Sequence, residues 1–215
     1  MANRKKYVDT NWSGPLAYVI GLIAADGNLS PDGRHISFTS KDSALAKTFK
    51  RILCLDNTIG IKARGGSTHK KYHVVQFGSV DFYTFLLSIG LTPAKSKTIG
   101  ELLIPSQYFP DFLRGCIDGD GSISTFSHPE SKYSQLRVRL ASASPKFLKW
   151  VHVEISRCMR TNGGWVYTDS KKSVATLTYA TADSVKILTA IYRSSTCDCL
   201  HRKKKTATKY LAALK

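Results

Sequence analysis

The chain has 215 residues, of which 42% are apolar and 10% aromatic, enough to bury an ordinary core in one sizeable domain or two small ones. Its 32 Lys and Arg residues outnumber 15 Asp and Glu, and the formal net charge of +17 indicates a polyanionic partner. The longest apolar run, residues 16–25, is too short to span a bilayer and the basic residues are scattered, which argues against a membrane protein and favours nucleic acid.

The N-terminus and the cysteines predict an intracellular protein. Met1 and the residues after it do not lead into the apolar core of a signal peptide. Five cysteines without framework spacing are typical of free thiols in a reducing compartment. Cys197, Cys199 and His201 lie too close together in sequence for a zinc tetrahedron, so we expect no metal there.

A repeat organises the chain from its first helix onward. The segment from Gly21 to Gly27 recurs from Gly115 to Gly121, 94 residues later, and a proline precedes each copy at a position where a helix could begin. Further matches follow downstream, among them Lys95 with Lys203. The repeat divides the chain into a first half, residues 8–100, and a second half, residues 101–215.

Each half shows the same succession of predicted elements. After the motif helix, the pattern predicts a hairpin with one clearly alternating strand, a helix, a second hairpin and a closing helix. In the first half these are Arg34 to Thr39, Ser40 to Leu55, Ile59 to Arg64 with Tyr72 to Phe77, and Asp81 to Ile89. In the second half they are Gln135 to Leu140, Ser144 to Arg160, Trp165 to Thr168 with Val174 to Tyr179, and Asp183 to Tyr192. The predicted class is α+β, with an αββαββα unit used twice.

Glycines mark the two motif helices. An interior glycine costs about 1 kcal/mol relative to alanine, so Gly21 and Gly115 predict helices that pack against each other through close backbone contact. Gly27 and Gly121 each follow the last helical residue, and we expect both to end a helix in the left-handed conformation.

Two acidic residues lie at helix positions where a negative charge is unfavourable. Asp26 and Asp120 lie at the C-terminal ends of the motif helices, where a carboxylate opposes the helix dipole. Parallel packing of the helices would also bring the two carboxylates together, and a divalent cation beside them would remove both penalties. Asp118 is matched by Ala24 in the first copy, so we expect it to have a structural role as the partner of Arg114.

The two motif copies, Val19 to Gly27 and Leu113 to Gly121, resemble those of the two-motif LAGLIDADG homing endonucleases. The segment from Gly90 to Ser96 also resembles the linker of that family, so the resemblance covers nearly the whole chain. It implies two pseudo-symmetric halves packed through the motif helices, with curved antiparallel sheets that form a saddle on DNA. Ala24 departs from the sequence that gives the family its name, at a position that does not bind metal.

The resemblance also implies an active site. Asp26 and Asp120 would bind Mg²⁺, with the carbonyls of Ala25 and Gly119 as further ligands, and an oxygen-rich site of this kind suits Mg²⁺ or Mn²⁺. Lys95 and Lys203, matched by the repeat, are the candidates to stabilise the anionic transition state. The alternative for both is a solvated loop lysine that contacts only distant phosphates.

The polar faces of the strands supply the candidate DNA contacts, which would read base edges or hold phosphates. They are Arg34, His35, Ser37, Lys62, Arg64, Lys70, Lys71 and Gln76 in the first half and Arg137, Arg139, Tyr167, Lys171, Lys172, Thr176 and Thr178 in the second. Alternation shows only which face is polar, so a solvated residue without a ligand is the alternative for each.

The predicted function is therefore a monomeric DNA endonuclease that makes double-strand breaks in a long, asymmetric duplex site, as in intron or intein homing. Two alternatives of the same fold stay open, an RNA-splicing maturase whose partner is its host intron RNA and a DNA-binding regulator that does not cleave. The presence of both motif acids favours cleavage. An organellar location, in a mitochondrion or chloroplast, is expected if an organelle intron encodes the chain, and otherwise the cytoplasm.

Overall fold

The computed structural model describes residues 8–64, 67–127, 129–130, 133–168 and 173–214, without the side chains of residues 64 and 67–70. Within these ranges the chain forms two four-stranded antiparallel sheets and seven α-helices. The predicted α+β class and the two αββαββα units are confirmed.

The first half begins with its motif helix, whose N-terminus is capped by the Ser13 side chain. Its elements are α1 (Gly14–Asp26), β1 (Gly27–Leu29), β2 (His35–Ser40), α2 (Ser43–Ile52), β3 (Gly60–Arg64), β4 (Ser67–Gly78) and α3 (Val80–Ser88). Helix α2 begins three residues later than predicted because Ser40 still pairs with His73 in the sheet.

The second half repeats this order and adds one helix. After a 3₁₀ turn (Ser106–Tyr108) come α4 (Phe109–Asp120), β5 (Gly121–Phe126), β6 (Gln135–Ser142), α5 (Pro145–Met159), β7 (Trp165–Thr168), β8 (Ala175–Tyr179), α6 (Thr181–Ile191) and α7 (His201–Ala212). Ser144 caps α5 through the backbone N–H of Phe147, as its position before Pro145 predicts.

The two sheets have the same strand order, β1-β2-β4-β3 and β5-β6-β8-β7. In β2 the side chains of Ile36 and Phe38 are buried against the helices, and the ring of Phe38 stacks on Phe49 of α2 with centroids 4.7 Å apart. In β6 the alternate residues Leu136, Val138 and Leu140 are buried in the same way. Each sheet therefore has one covered face and one open polar face, as the alternation predicts.

Glycine contacts join the motif helices α1 and α4. A Cβ atom added to Gly21 would lie 2.1 Å from the carbonyl oxygen of Phe112, and one added to Gly115 would lie 2.1 Å from the carbonyl oxygen of Tyr18. No larger residue fits at either position without moving a helix. The predicted backbone contact between the two helices is confirmed.

Gly27 and Gly121 do not have the left-handed conformation that we expected. Their φ angles are −86° and −93°, because the chain passes from each helix directly into the next strand. Glycine is required there for space, since a Cβ atom would lie 2.6 Å from the Cα of Ile23 or of Ile117. The prediction that a glycine ends each helix holds, but its conformational reason was wrong.

Helix α7 was not predicted, and the segment before it contacts the first half. Arg51 of α2 forms an ion pair with Asp198, and Arg202 of α7 forms another with Asp42 at 3.1 Å. The buried guanidinium of Arg114 donates to the carbonyl oxygen of Asp198 at 2.7 Å. The C-terminal segment thus links α4 of its own half to α2 of the other half.

Candidate functional site

The two motif acids lie at neighbouring helix ends. Asp26 ends α1 and Asp120 ends α4, and both side chains reach solvent, Asp26 being half-buried and Asp120 exposed. A Cβ atom on Gly119 would lie 3.4 Å from Oδ2 of Asp26 and 2.5 Å from the Cβ of Ala25. The Asp26 carboxylate therefore reaches across to the residue just before Asp120.

Two open pockets flank these helix ends. One of about 330 Å³ is lined by Asp26, Lys62 and Tyr72, and one of about 220 Å³ by Asp120, Lys95 and Ala141. Ala25 and Ser96 line both pockets, so they lie between the two acids. The paired helix ends thus separate two recesses, each with one acid and one lysine.

Lys95 is not a solvated loop lysine, although it lies outside any helix or strand. Its side chain is only 5% exposed, and its Nζ donates a hydrogen bond to the carbonyl oxygen of Ala24 at 3.0 Å. Burial lowers the pKa of Lys95 to about 8, although Asp120 and Asp26 both act to raise it. The structure therefore brings this candidate together with both acids.

Lys203 occupies the equivalent place in the second half. It lies in the first turn of α7, is 6% exposed, and its Nζ donates to the carbonyl oxygens of Ile117, Asp118 and Gly121 at 2.5, 2.9 and 2.7 Å. Burial lowers its pKa to about 8 against the opposing effect of Asp118.

The two lysines share one geometry, which contradicts the alternative of solvated loop residues. Ala24 and Asp118 are equivalent in the repeat, and each lysine donates to one of their carbonyls. Carbonyls in the last turn of a helix lack intrahelical donors, so each ammonium group also stabilises a helix C-terminus. The positive charges beneath the acids offset part of the dipole penalty attributed to Asp26 and Asp120.

The residues at the helix ends fit a hard divalent cation. The carboxylates of Asp26 and Asp120 and the carbonyls of Ala25 and Gly119 form an all-oxygen donor set. Over the part of the chain that the structure describes, no group of three or more His, Cys, Asp and Glu side chains could hold a metal. Mg²⁺ suits such a site because it commonly keeps several waters and uses one or two carboxylates together with substrate phosphates.

Asp118 has a structural role, but its predicted partner was wrong. Its Oδ2 accepts hydrogen bonds from the hydroxyl of Tyr18 at 2.9 Å and from the backbone N–H of Leu200 at 2.7 Å. Arg114 instead forms an ion pair with Asp111 at 2.7 Å. Burial raises the pKa of Asp118. This carboxylate joins α1, α4 and the start of α7, so it is no candidate metal ligand.

The open face of the first sheet carries most of its candidate contacts. Ser37 and Gln76 are directly paired on this face, and Lys62 is paired with Tyr72 beside the Asp26 pocket. Arg34 is exposed just before β2. His35 lies at the start of β2, where its Nδ1 contacts Oδ2 of Asp32 at 2.5 Å.

The open face of the second sheet is partly aromatic. Arg139 is exposed, and the guanidinium of Arg137 lies over the ring of Phe126, 4.4 Å from its centroid. Tyr167 is exposed on the edge strand β7 and is paired with the half-buried Thr176. These candidates share one face, opposite the buried residues of β6 and β8.

Of the proposed contacts, Lys71 lies on the wrong face of its sheet and Thr178 is buried. Lys71 is paired with Ala63, so it lies on the opposite face of the sheet from Lys62 and Tyr72. Adjacent residues of one strand point to opposite faces, so Lys71 and Tyr72 cannot share one. Thr178 is on the correct face but is only 5% exposed, since it lies between Arg139 and Trp165 in the sheet.

The remaining candidates lie outside the described residues. They are Lys171 and Lys172 and the side chains of Arg64 and Lys70.

Sequence reasoning missed Ser96 and Trp165. Ser96 lines both acid pockets. Its position directly after the candidate Lys95 is the sequence signal that could have identified it. Trp165 is 49% exposed on the face that carries Tyr167. Simple alternation about Val166, which packs on the core, would have found it.

Comparison with known proteins relates the first part of the chain to a family model. Residues 13–90 match the family model described as LAGLIDADG-like domain. No curated protein matches the chain.

Among the described residues, no helix has the length and apolar character of a membrane-spanning segment.

Solved structures share the fold across nearly the whole chain. Full-length DUF199/WhiA from Thermotoga maritima is 17% identical with a TM-score of 0.59, covering 94% of this chain and 61% of that one. The meganuclease I-SmaMI bound to uncleavable DNA is 16% identical with a TM-score of 0.59, covering 91% and 89%. The homing endonuclease I-GzeII in complex with its DNA target is 14% identical with a TM-score of 0.58, covering 93% and 90%.

Fold and motif together define a protein of two pseudo-symmetric halves joined through paired, acid-ended helices. Residues 13–90 match a LAGLIDADG-like domain, and the whole chain shares the fold of solved structures that include a LAGLIDADG homing endonuclease, which agrees with the resemblance seen in the motifs. The chain spans 61% of the length of WhiA, which does not carry the name of an endonuclease. The shared fold therefore does not by itself assign cleavage.

Proposed function

We propose that the protein is a sequence-specific DNA endonuclease that cuts both strands of an asymmetric duplex site by metal-dependent phosphodiester hydrolysis. The observation that carries this proposal is the meeting of Asp26 and Asp120 at paired helix ends, with a buried lysine beneath each helix end. Acids at helix C-termini are disfavoured by the dipole, and a bound cation explains why this chain has one in each half.

In this proposal Asp26 and Asp120 hold Mg²⁺ or Mn²⁺, with the carbonyls of Ala25 and Gly119 beside them. A cation bound by these residues would supply activation of water and stabilisation of the leaving oxygen. The protein's own contribution is charge and position. Lys95 and Lys203 place buried positive charge within the electrostatic reach of Asp120, close to where the scissile phosphates would lie.

DNA binding follows from charge and from the sheet faces. A net charge of +17 favours a polyanion, and the open faces carry Gln76, Arg139 and Lys62, the last of which lines the Asp26 pocket. The two faces differ in composition, which supports an asymmetric target. Two halves in one chain supply both acids, which supports a functional monomer.

The test begins with a randomised duplex library incubated with Mg²⁺, followed by sequencing of the cut ends. Asp26→Asn and Asp120→Asn should each lower the cleavage rate by at least about 100-fold while DNA binding in Ca²⁺ is retained. Asp81→Asn, an exposed acid in the first turn of α3, is the matched control and should cleave normally. Asp118→Asn is unsuitable as a control because Asp118 is part of the core.

The outcomes separate the alternatives. Full cleavage by both Asn variants would contradict the proposed site. Specific binding by the wild-type protein without cleavage would indicate a DNA-binding regulator of this fold, and assisted splicing of a host intron in the absence of DNA cleavage would indicate a maturase.

A further inference from the structure

Two large aromatic side chains lie exposed on the outermost strand of the second sheet. Trp165 is 49% and Tyr167 is 61% exposed, although both belong to a regular strand in a sheet with a full core. Val166 between them packs on that core. The two aromatics therefore point to the open face, where each presents about half or more of its surface to solvent.

The register shows what surrounds them. Trp165 is in one row with Thr178 and Arg139, and Tyr167 is in the next row with Thr176 and Ala141. Ala141 lines the pocket of Asp120, so the row of Tyr167 borders the acid site. Both aromatics thus lie on the cationic face proposed to meet DNA, and Tyr167 lies nearer the proposed point of cleavage.

The open face of the first sheet carries one aromatic side chain among its described residues, the half-buried Tyr72, which is paired with Lys62. The corresponding open face carries Lys62 on its edge strand and Gln76 on the strand beside it, side chains that hydrogen-bond to phosphates or base edges. On the second sheet the partners of the aromatics are threonines, the half-buried Thr176 beside Tyr167 and the buried Thr178 beside Trp165. The two faces therefore suit different features of a duplex.

An apolar surface on a DNA-facing sheet has one matching group in the major groove, the 5-methyl group of thymine. The indole of Trp165 accepts no hydrogen bond, so it contributes chiefly apolar contact. We propose that Trp165 and Tyr167 form a specificity surface that recognises thymine methyl groups in the half-site bound by the second half. This inference rests on the proposed DNA-binding function and names the feature that the second sheet reads.

The test uses deoxyuridine, which lacks only the methyl group of thymine. Each thymine of the selected target is replaced in turn, and affinity is measured by filter binding in Ca²⁺, without need of cleavage. One or two replacements in the second half-site should weaken binding of the wild-type protein about fourfold each, the value expected for one buried methyl group.

Variants identify the side chains. Trp165→Ser and Tyr167→Ser should each abolish the thymine-to-deoxyuridine difference at one position, whereas Trp165→Phe and Tyr167→Phe should retain it. Val153→Ser, which removes an equally exposed apolar side chain from α5, is the matched control and should change nothing. Replacements in the first half-site should not respond to the Trp165 and Tyr167 variants.

Failure of the inference differs from failure of the proposed function. If the wild-type protein binds its target but no second-half thymine is sensitive to its methyl group, or the target has no thymine there, the inference is wrong while the function stands. Sensitivity that persists in both serine variants would assign the readout to other residues. If no duplex is bound, both the inference and the proposed function fail.

Discussion

The carboxylate of Asp118 accepts a hydrogen bond from the hydroxyl of Tyr18 at 2.9 Å, and so joins helix α4 of one half to helix α1 of the other inside the core. Tyr18→Phe should therefore lower the free energy of unfolding by about 1–3 kcal/mol, because a buried carboxylate loses a donor. Urea denaturation in EDTA measures the change.

Tyr192→Phe is the matched control for Tyr18→Phe. The Tyr192 hydroxyl is also buried, but within the described residues it has no hydrogen-bond partner, so its removal should cost little. Equal losses in the two variants would show that the hydrogen bond between Tyr18 and Asp118 is not a significant source of stability.

A methyl group at the helix contact should be poorly tolerated. Gly21→Ala places a Cβ atom 2.1 Å from a backbone carbonyl, so either the helices separate or the protein unfolds, at a cost of about 3 kcal/mol or more. Gly100→Ala, where a Cβ atom meets nothing within 4 Å, is the control. Thermal unfolding of both variants measures the loss of stability. A Gly21→Ala protein as stable as the control would refute the close contact.

The buried lysines predict an unusual dependence of stability on pH. Their folded pKa values of about 8 lie below the ordinary value of 10.5, so above pH 8 the unfolded chain binds more protons than the folded one. Their contribution to stability should therefore rise with pH from about 8 to 10. Burial raises the pKa values of Cys116 and Tyr18, and these groups oppose the trend above about pH 9, the ordinary value for a thiol.

The lysine contribution is isolated by comparison with variants. The difference in unfolding free energy between the wild type and Lys95→Met, or Lys203→Met, should change in favour of the wild type as pH rises from 7 to 9. Lys97→Met, at an exposed lysine of the same segment, should show a constant difference. A pH-independent difference for all three variants would mean that burial does not lower the pKa values of Lys95 and Lys203.

The salt dependence of DNA binding distinguishes the two faces of the first sheet. Lys62→Ala should reduce the slope of log affinity against log salt by about 1, the change expected for one lost phosphate contact. Lys71→Ala, on the opposite face, should leave the slope unchanged. A larger effect at Lys71 would place the DNA on the other face of the sheet.

Alternation and repetition predicted much of this molecule. Ile36 and Phe38 face the core because a period of two admits only one arrangement on a half-covered sheet. The repeat alone selects Asp26, Asp120 and the two lysines as candidates. The close contact of Gly21 with α4 followed from the cost of an interior glycine.

Other features depend on tertiary contacts that no local pattern contains. Asp118 contacts Tyr18, 100 residues away, and not Arg114 on its own helix, because the start of α7 also supplies a donor at the same carboxylate. The burial of Lys95 likewise depends on the carbonyl of Ala24, 71 residues earlier. The assignment of Lys71 to the open face was wrong because Lys71 is paired with Ala63, one residue out of phase with Lys62 and Tyr72.

The glycine contact between α1 and α4 has a consequence for how such a protein can diverge. The backbones of the two helices are in direct contact there. The distance between Asp26 and Asp120 is therefore set by the backbone and should not change when side chains on the sheets are substituted. Each half should then be replaceable as a unit by the corresponding half of a related fold. A half from another protein should be accepted if its helix offers a glycine at this register, and the two acids would keep their separation while the surface that meets the ligand is replaced entirely.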